Sequence, residues 1–389
     1  MVDGLARSVG LVISGTPAPS VATGRDEVVV RDFVSLAGAV YARDPLWVRP
    51  FERSLYRALR NPPQTDGRRQ ELFVVRHGRR PVARACAWSD AISRAAAKGP
   101  TGYFSHFEAH PDADAVHALF DAVRAWLRAE GITHLIGPKA AGMMEPPGVL
   151  VEGRGRPVYG TPYNPPYYPG LLSGVGLEKY VDLLDFTLPI ASGYPRITRL
   201  AGLARARFPR ARVRPVDLKE GFEADVHSVV EVYNAAWAHN WGFVELTVDR
   251  LMATARELRP VYRPEYAMLL ELDGRCIGFA MMMPDFNEVF HRIRGRLLPT
   301  GWFHLLFGMR RIRTFRAFFI GLLPQYRSAG LEAVLIEALL RVIWARRVDR
   351  LHVGWIKETN YLWRNEVSAF AGVAPGTAHK RYRLYSGEV

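Results

Sequence analysis

The sequence predicts an α/β (α+β) protein of two tandem lobes, each a mixed twisted sheet flanked by helices. Three observations lead there. A chain of 389 residues with 49% hydrophobic and 23% charged side chains can bury more than one core. One order of elements, an amphipathic helix, a strand hairpin, a further strand, a helix and a short strand, is legible twice along it. Between the copies lies a stretch with Pro195, Pro209, Pro215 and many arginines, the composition of a connector with a short basic helix. The expected division is a disordered tail at 1–25, a first lobe at 26–190, a connector at 191–225 and a second lobe at 226–389.

In the first lobe, Val28-Val29-Val30 reads as a short strand, followed by a helical stripe of Phe33, Leu36, Ala37, Val40 and Tyr41 that Asp44-Pro45 ends. Glu71–Val75 and Pro81–Trp88 read as a strand pair about Gly78-Arg79-Arg80, and Thr101–Glu108 as the next strand. Residues 112–131 form a helix, with Asp112 and Asp114 at its positive end and Val116, Leu119, Phe120, Val123 and Leu127 along its apolar side. His134–Gly137 is a strand. Gly142–Gly176 is too rich in glycine, proline and tyrosine for regular structure and reads as a long ordered loop. Its segment Tyr163-Asn164-Pro165-Pro166-Tyr167-Tyr168-Pro169 fits either substrate contact, through Tyr163 and Asn164, or a clamp between lobes. Leu183–Leu188 is the strand that closes the lobe.

The second lobe repeats this order. Val226–His239 is helical, and Ala267–Leu272 and Cys276–Met283 form a hairpin about Asp273-Gly274, a dipeptide suited to the tight hairpin turn. After an insert at Pro284–Arg316 come a strand at Phe318–Leu323, a helix at Leu331–Arg346, a strand at Arg350–Trp355, a helix at Asn360–Phe370 and a last strand at His379–Tyr385. Pro111 stands 15 positions before Trp126, whereas Pro324 stands 20 before Trp344. The extra positions hold Arg327-Ser328-Ala329-Gly330-Leu331, where the first copy has Asp112-Ala113-Asp114. Carboxylates at a helix start repel phosphate, while a glycine turn aims free N–H groups at it. Only the second lobe has the sequence of a phosphate-binding turn.

Bulk features narrow the class. The formal charge of +14 comes mainly from arginine, which suits phosphate, carboxylate or nucleic-acid contacts and is equally the mark of a high-GC genome. Cys86 and Cys276 have no metal or disulfide spacing, so a reducing cytoplasm is expected, and His291 and His304 have no partner at metal spacing. No run of about 18 apolar residues occurs, so integral membrane association is not expected. P-loop, GxSxG, HExxH and GxGxxG motifs are absent, which argues against hydrolase, protease and dehydrogenase chemistry.

The strand, turn and helix from Phe318 to Leu340, with Arg350–Trp355 and Asn360 after them, resemble the core motif of the GNAT (N-acetyltransferase) superfamily. Over its full length the chain resembles a bacterial group with two GNAT-like lobes. The family's loop is Gln or Arg, two residues, Gly, one residue, then Gly or Ala; here Glu332 takes the last place, which sets a carboxylate near the diphosphate unless it turns outward.

The resemblance implies acetyl-CoA or another acyl-CoA as cosubstrate, no metal, and a small-molecule amine as acceptor. It implies a thioester carbonyl bonded to a backbone N–H near Leu322 or Leu323, with the diphosphate on Arg327, Ser328, Ala329 and Gly330 and the chain passing Asn360. Tyr361 is the nearest tyrosine for protonating the thiolate; a core tyrosine and a helix-capping Asn360 fit the same positions. Glu245, Asp285 and Glu288 are the acid–base candidates, although charges at a strand end are ordinarily just solvated, and Asn240, Trp241 and Asn287 suit an acceptor wall, with a packing role fitting the 239–243 loop equally. Two other functions fit the same pattern. Fem-like aminoacyl-tRNA-dependent transferases also have tandem GNAT-like lobes, and the positive charge suits a tRNA partner. A degenerate, non-catalytic binding module is the third.

Overall fold

The computed structural model describes residues 18–61, 67–94, 99–140, 146–190, 193–238, 243, 245–259, 261–293, 301, 307–371 and 378–389. The first half contributes β1 (Pro19–Thr23), α1 (Glu27–Val40), α2 (Glu52–Arg60), β2 (Arg69–His77), β3 (Arg80–Ser89), α3 (Ala91–Arg94), β4 (Thr101–Ala109), α4 (Ala113–Ala129), β5 (His134–Gly137), β6 (Val149–Glu152), α5 (Tyr168–Gly174) and β7 (Glu178–Pro189). The second contributes α6 (Pro195–Arg207), β8 (Arg212–Pro215), α7 (Phe222–Trp237), α8 (Val248–Leu258), β9 (Ala267–Leu272), β10 (Arg275–Pro284), α9 (Asn287–Ile293), β11 (Thr314–Leu322), α10 (Leu331–Ala345), β12 (Arg350–Lys357), α11 (Tyr361–Ala371) and β13 (Lys380–Glu388).

All the strands join one mixed sheet in the order β1-β2-β3-β4-β5-β13-β7-β12-β11-β10-β9-β8, with β6 also against β13. Read from its two ends, the order matches β1 with β8, β2 with β9, β3 with β10, β4 with β11, β5 with β12 and β13 with β7. The duplication seen in the sequence is therefore a pseudo-two-fold of the sheet. Its centre departs from two self-contained lobes, because each half places its last strand in the other. β13 pairs antiparallel with β5 of the first half, Tyr385 opposite Gly137, and β7 pairs with β12 of the second, Leu351 opposite Leu188. The 26–190 and 226–389 divisions are thus continuous in sequence but exchanged in space.

Several local expectations give way to capping and pairing. Val28–Val30 is the first turn of α1, because the Asp26 carboxylate accepts the N–H groups of Val28 (2.8 Å) and Val29 (2.9 Å). Residues 19–23, expected within the tail, add an edge strand to β2, as β8 of the connector does to β9. The long loop contains β6 and α5, and α9 lies in the insert. The Asp273-Gly274 turn forms as expected, both residues having positive φ (52° and 80°). One large core fills the second lobe between α7, α8, α10 and the sheet, and two clusters fill the faces of the first. Among the described residues no helix is long and apolar enough to cross a membrane.

Candidate active site

β11 and β12 run parallel and pair from Thr314–Arg350 to Ala317–Val353, and there the pairing stops. Beyond it the strands part into a cleft. A bulge at Phe318, between the pairs Met282–Ala317 and Met281–Phe319, resets the alternation of β11 just where the cleft opens. Leu323 N–H bonds the Ile277 carbonyl of β10 at 2.9 Å, so it is consumed in the sheet and cannot serve a thioester. Since successive N–H groups of a strand point to opposite edges, those of Leu322 and Ile320 face the cleft. Ile320, which sequence reasoning passed over, lies deeper in it. The signal that finds it is the bulge, visible only from the pairing register.

The turn from Pro324 to Gly330 leads to α10. Ser328 and Gly330 have φ of 60° and 76°, and Gly330 occupies the N-cap with no side chain closing the helix end. Ala333 N–H bonds Gly330 O at 3.1 Å, which leaves the Leu331 and Glu332 amides to face an anion. The Arg327 guanidinium bonds the Ala236 carbonyl near the end of α7, so Arg327 anchors the loop. Ser328 is exposed, and Ala329 and Gly330 are half-buried. Glu332 is half-buried and makes no ion pair among the described residues.

The matching place in the first half is sealed. His110 N–H bonds Val82 O there as Leu323 N–H bonds Ile277 O, which makes Ala109 the counterpart of Leu322. Ala109 N–H donates to the Tyr168 hydroxyl at 2.9 Å, and the Tyr167 hydroxyl donates to Ala109 O at 2.9 Å. Tyr168 in turn donates to Glu108 at 2.6 Å. Burial raises the Glu108 carboxyl and, with the Glu108 charge next, holds the Tyr168 hydroxyl well above its usual range. At the helix start, the Asp112 carboxylate accepts from Ala115 N–H at 2.9 Å and meets His77 at 2.7 Å, filling the anion position. The tyrosine-rich loop is thus a plug in the first cleft. Tyr361 begins α11 as Tyr168 begins α5, yet it is 60% exposed with Arg364 4.7 Å from its ring.

The other expected residues are dispersed. Asp285 N–H bonds Thr314 O, at the start of β11. Thr314 and Ile320 are six positions apart, about 20 Å at the rise of a strand. Antiparallel pairing thereby puts Asp285, Asn287 and Glu288 at the wrong end of β11 for the cleft. Glu288 accepts from the N–H groups of Thr314 (2.9 Å) and Arg313 (3.3 Å), and Asn287 donates to Pro157 O at 2.9 Å. Tyr163 donates to Asp44 at 2.6 Å, and Asn164 accepts from Leu150 N–H at 2.6 Å, both as loop struts. Glu245 is exposed, and Asn360 caps α11 through Trp363 N–H at 3.3 Å. Asn240 and Trp241 lie outside the described residues.

Burial pushes the Asp285 carboxyl up to about 6, against the N–H groups of Tyr159 and Asn287 that it accepts. A carboxyl raised on folding contributes stability that is full below its unfolded value, near 3.8, and is lost as pH rises through about 6. The loss amounts to about 3 kcal/mol. Asp285→Asn keeps an acceptor for both N–H groups and does not ionise. Denaturant melts should show its stability relative to wild type growing by about that amount between about pH 4 and about pH 7.5; a constant difference would contradict the assignment.

An apolar cavity of about 80 Å³ lies beside the cleft, between α7, α8 and β9–β11. Phe319, Met281, Phe279, Leu251 and Val229 are among its lining. Phe319 belongs to both features: its ring lines the cavity and its backbone precedes Ile320. Trp237 covers the same strand, and a Cβ at Gly321 would come within 2.4 Å of its ring, so glycine is required there.

No family model matches the chain. It is 28% identical to protein YghO of Escherichia coli (strain K12) over 371 residues, 92% of this chain and 93% of that protein. It is 26% identical over 366 residues to the bacterial ceramide synthase of Caulobacter vibrioides, covering 92% and 94%. Among solved structures, a tandem GNAT protein from the clavulanic acid biosynthesis pathway superposes with a TM-score of 0.55 at 13% identity over 95% of this chain and 98% of that one. A GCN5-related glucosamine N-acetyltransferase region of a fungal multi-domain β-N-acetylglucosaminidase gives 0.56 at 11% identity, over 95% of this chain and 38% of that one. The chain has the tandem GNAT fold.

Proposed function

We propose, from a tandem GNAT fold with one cleft plugged and the other open, that this chain is an N-acyltransferase. In this reading it moves an acyl group from acyl-CoA, held at the β11–β12 cleft, to the amine of a long-chain base. The observation that carries the reading is the asymmetry of equivalent backbone groups. Ala109 N–H is satisfied by Tyr168, whereas Leu322 and Ile320 N–H groups face an open cleft that leads to the uncapped start of α10.

The reaction follows from those groups. Ile320 N–H polarises the thioester carbonyl, and the open amides after Gly330 take the diphosphate. The uncharged amine nitrogen bonds to the carbonyl carbon and loses a proton to water. The C–S bond breaks, and the sulfur takes up a proton at the mouth, where Tyr361 stands, so amide and free thiol form in equal amounts. A long-chain acceptor is supported by the relative named a ceramide synthase, since ceramides are amides of long-chain bases, and by the apolar cavity along Phe319.

Incubation with sphinganine and acyl-CoA of increasing chain length, followed by mass spectrometry and thiol titration, tests this. N-acylsphinganine and free thiol should appear in equal amounts. No amide above the enzyme-free background, with no calorimetric heat from millimolar acyl-CoA, would sink the proposal.

A further inference from the structure

Where the exchanged strands β7 and β13 meet β11 and β12, buried polar side chains collect at the inner end of the cleft. Asp185 of β7 is 2% exposed and its Oδ1 has no hydrogen-bond partner. Tyr382 of β13 is fully buried, its hydroxyl near Asp185 and Thr161 without hydrogen-bond geometry to either. Trp355 of β12 has a buried, unpartnered Nε1 and is itself half-buried. The Arg316 guanidinium stacks 4.2 Å from the Trp355 ring and 4.7 Å from Phe318, and it donates to Gly160 O at 2.7 Å. His352 Nδ1 is 3.7 Å from Asp185 Oδ1. Lys380 donates to Gly155 O and Arg156 O, so the 155–161 segment roofs the group.

Buried polar atoms in folded proteins are almost always hydrogen-bonded, and leaving one unmet carries its full desolvation cost. An acceptor (Asp185) and two donors (Tyr382 and Trp355) left unmet in one place describe a ligand with complementary groups. The place suits the chemistry. Trp355 is two positions beyond the last paired residue of β12, and Ile320 three beyond that of β11, so both line the opening.

We propose that this pocket holds the polar head of the acceptor. The amino group donates to Asp185, and a neighbouring hydroxyl or carbonyl oxygen accepts from Trp355 Nε1 and Tyr382. The ligand class is a vicinal amino alcohol or amino ketone. Arg316 and Lys380, both coupled to Asp185, offset the pull of that carboxylate towards an ammonium, and it is the uncharged form of the amine that attacks. Burial lowers the Arg316 guanidinium to about 10 while Asp185 opposes that shift, as expected for charges that share one site. The proposal rests on the acyl-transfer reading and names residues from both exchanged strands, so an intact sheet centre is required for the acceptor.

Tyr382→Phe and Asp185→Asn test it, with sphinganine as the amine probe and acyl-CoA affinity measured separately. Tyr382→Phe removes a hydroxyl with no protein partner and should leave folding intact. The KM for sphinganine should rise about tenfold in Tyr382→Phe and about thirtyfold in Asp185→Asn, with the Kd for acyl-CoA unchanged within about twofold. Wild-type KM in both variants overturns the pocket but leaves the acyltransferase reading standing, and is the result expected if only ordered water fills it. If wild type makes no amide, that reading fails instead. Sphinganine calorimetry without donor then decides the pocket: weaker binding by Tyr382→Phe supports it, and equal binding overturns it. Should Asp185→Asn not fold, Trp355→Phe replaces it.

Discussion

Gly330→Asp is expected to weaken acyl-CoA binding by about two orders of magnitude while leaving the protein folded. Gly330 has φ of 76° and a built Cβ comes no closer than 3.6 Å to Ala204, so a side chain fits in space. Aspartate and asparagine tolerate the left-handed region better than other residues. The aspartate sets a carboxylate about 5 Å from a diphosphate, a repulsion of ~3 kcal/mol at an effective dielectric constant near 20. Gly330→Asn changes shape almost identically without the charge and should lose far less. Calorimetry of both variants, repeated at higher salt, separates charge from strain; equal losses would show that the start of α10 is not an anion site. The natural precedent lies in the same chain, where Asp112 occupies the corresponding position of α4.

Ile320→Pro is expected to lower turnover by about 10² to 10³ with acyl-CoA affinity within a few-fold of wild type. Removing one oxyanion-stabilising donor costs about 2.7–4 kcal/mol in the transition state. The substitution is unusually clean, because the Ile320 N–H points away from β10 and proline there breaks no ladder bond. Ile320→Val retains the N–H and should stay near wild-type turnover, which controls for the trimmed side chain. Single-turnover kinetics with saturating donor separates the chemical step from binding. A proline variant with full activity would remove Ile320 from the reaction.

Much of the fold was legible because its signals are local. The Asp273-Gly274 hairpin, the stripe of α4 and the strand–turn–helix around Gly330 are set by residues within one or two turns of each other. The glycine turn against the carboxylates of Asp112 and Asp114 also separated the halves from sequence. Errors arose where a local propensity met a competing hydrogen bond. Valines 28–30 favour a strand, but Asp26 caps them into α1. The edge strands β1 and β8 are short, and their strand character comes from the neighbour each completes.

The candidate site was less legible, and direction is the reason. Asp285, Asn287 and Glu288 follow the hairpin closely in sequence, but β10 runs against β11 and carries them to the far end. Leu322 and Leu323 are indistinguishable by type; the Ile277 carbonyl consumes one N–H and leaves the other to the cleft. Tyr168 and Tyr361 each begin the matching helix, and only packing tells the plug from the exposed ring.

The sequence by itself determined the duplicated order of elements and the glycine turn that starts α10 where α4 starts with carboxylates, since both depend on neighbours along the chain. Only the tertiary structure decided which cleft is open, that Ile320 faces it, and that β7 and β13 change places to bring Asp185, Tyr382, Arg316 and Trp355 together. Strand pairing between residues some 200 positions apart is specified by complementary faces and register, which no window of sequence contains.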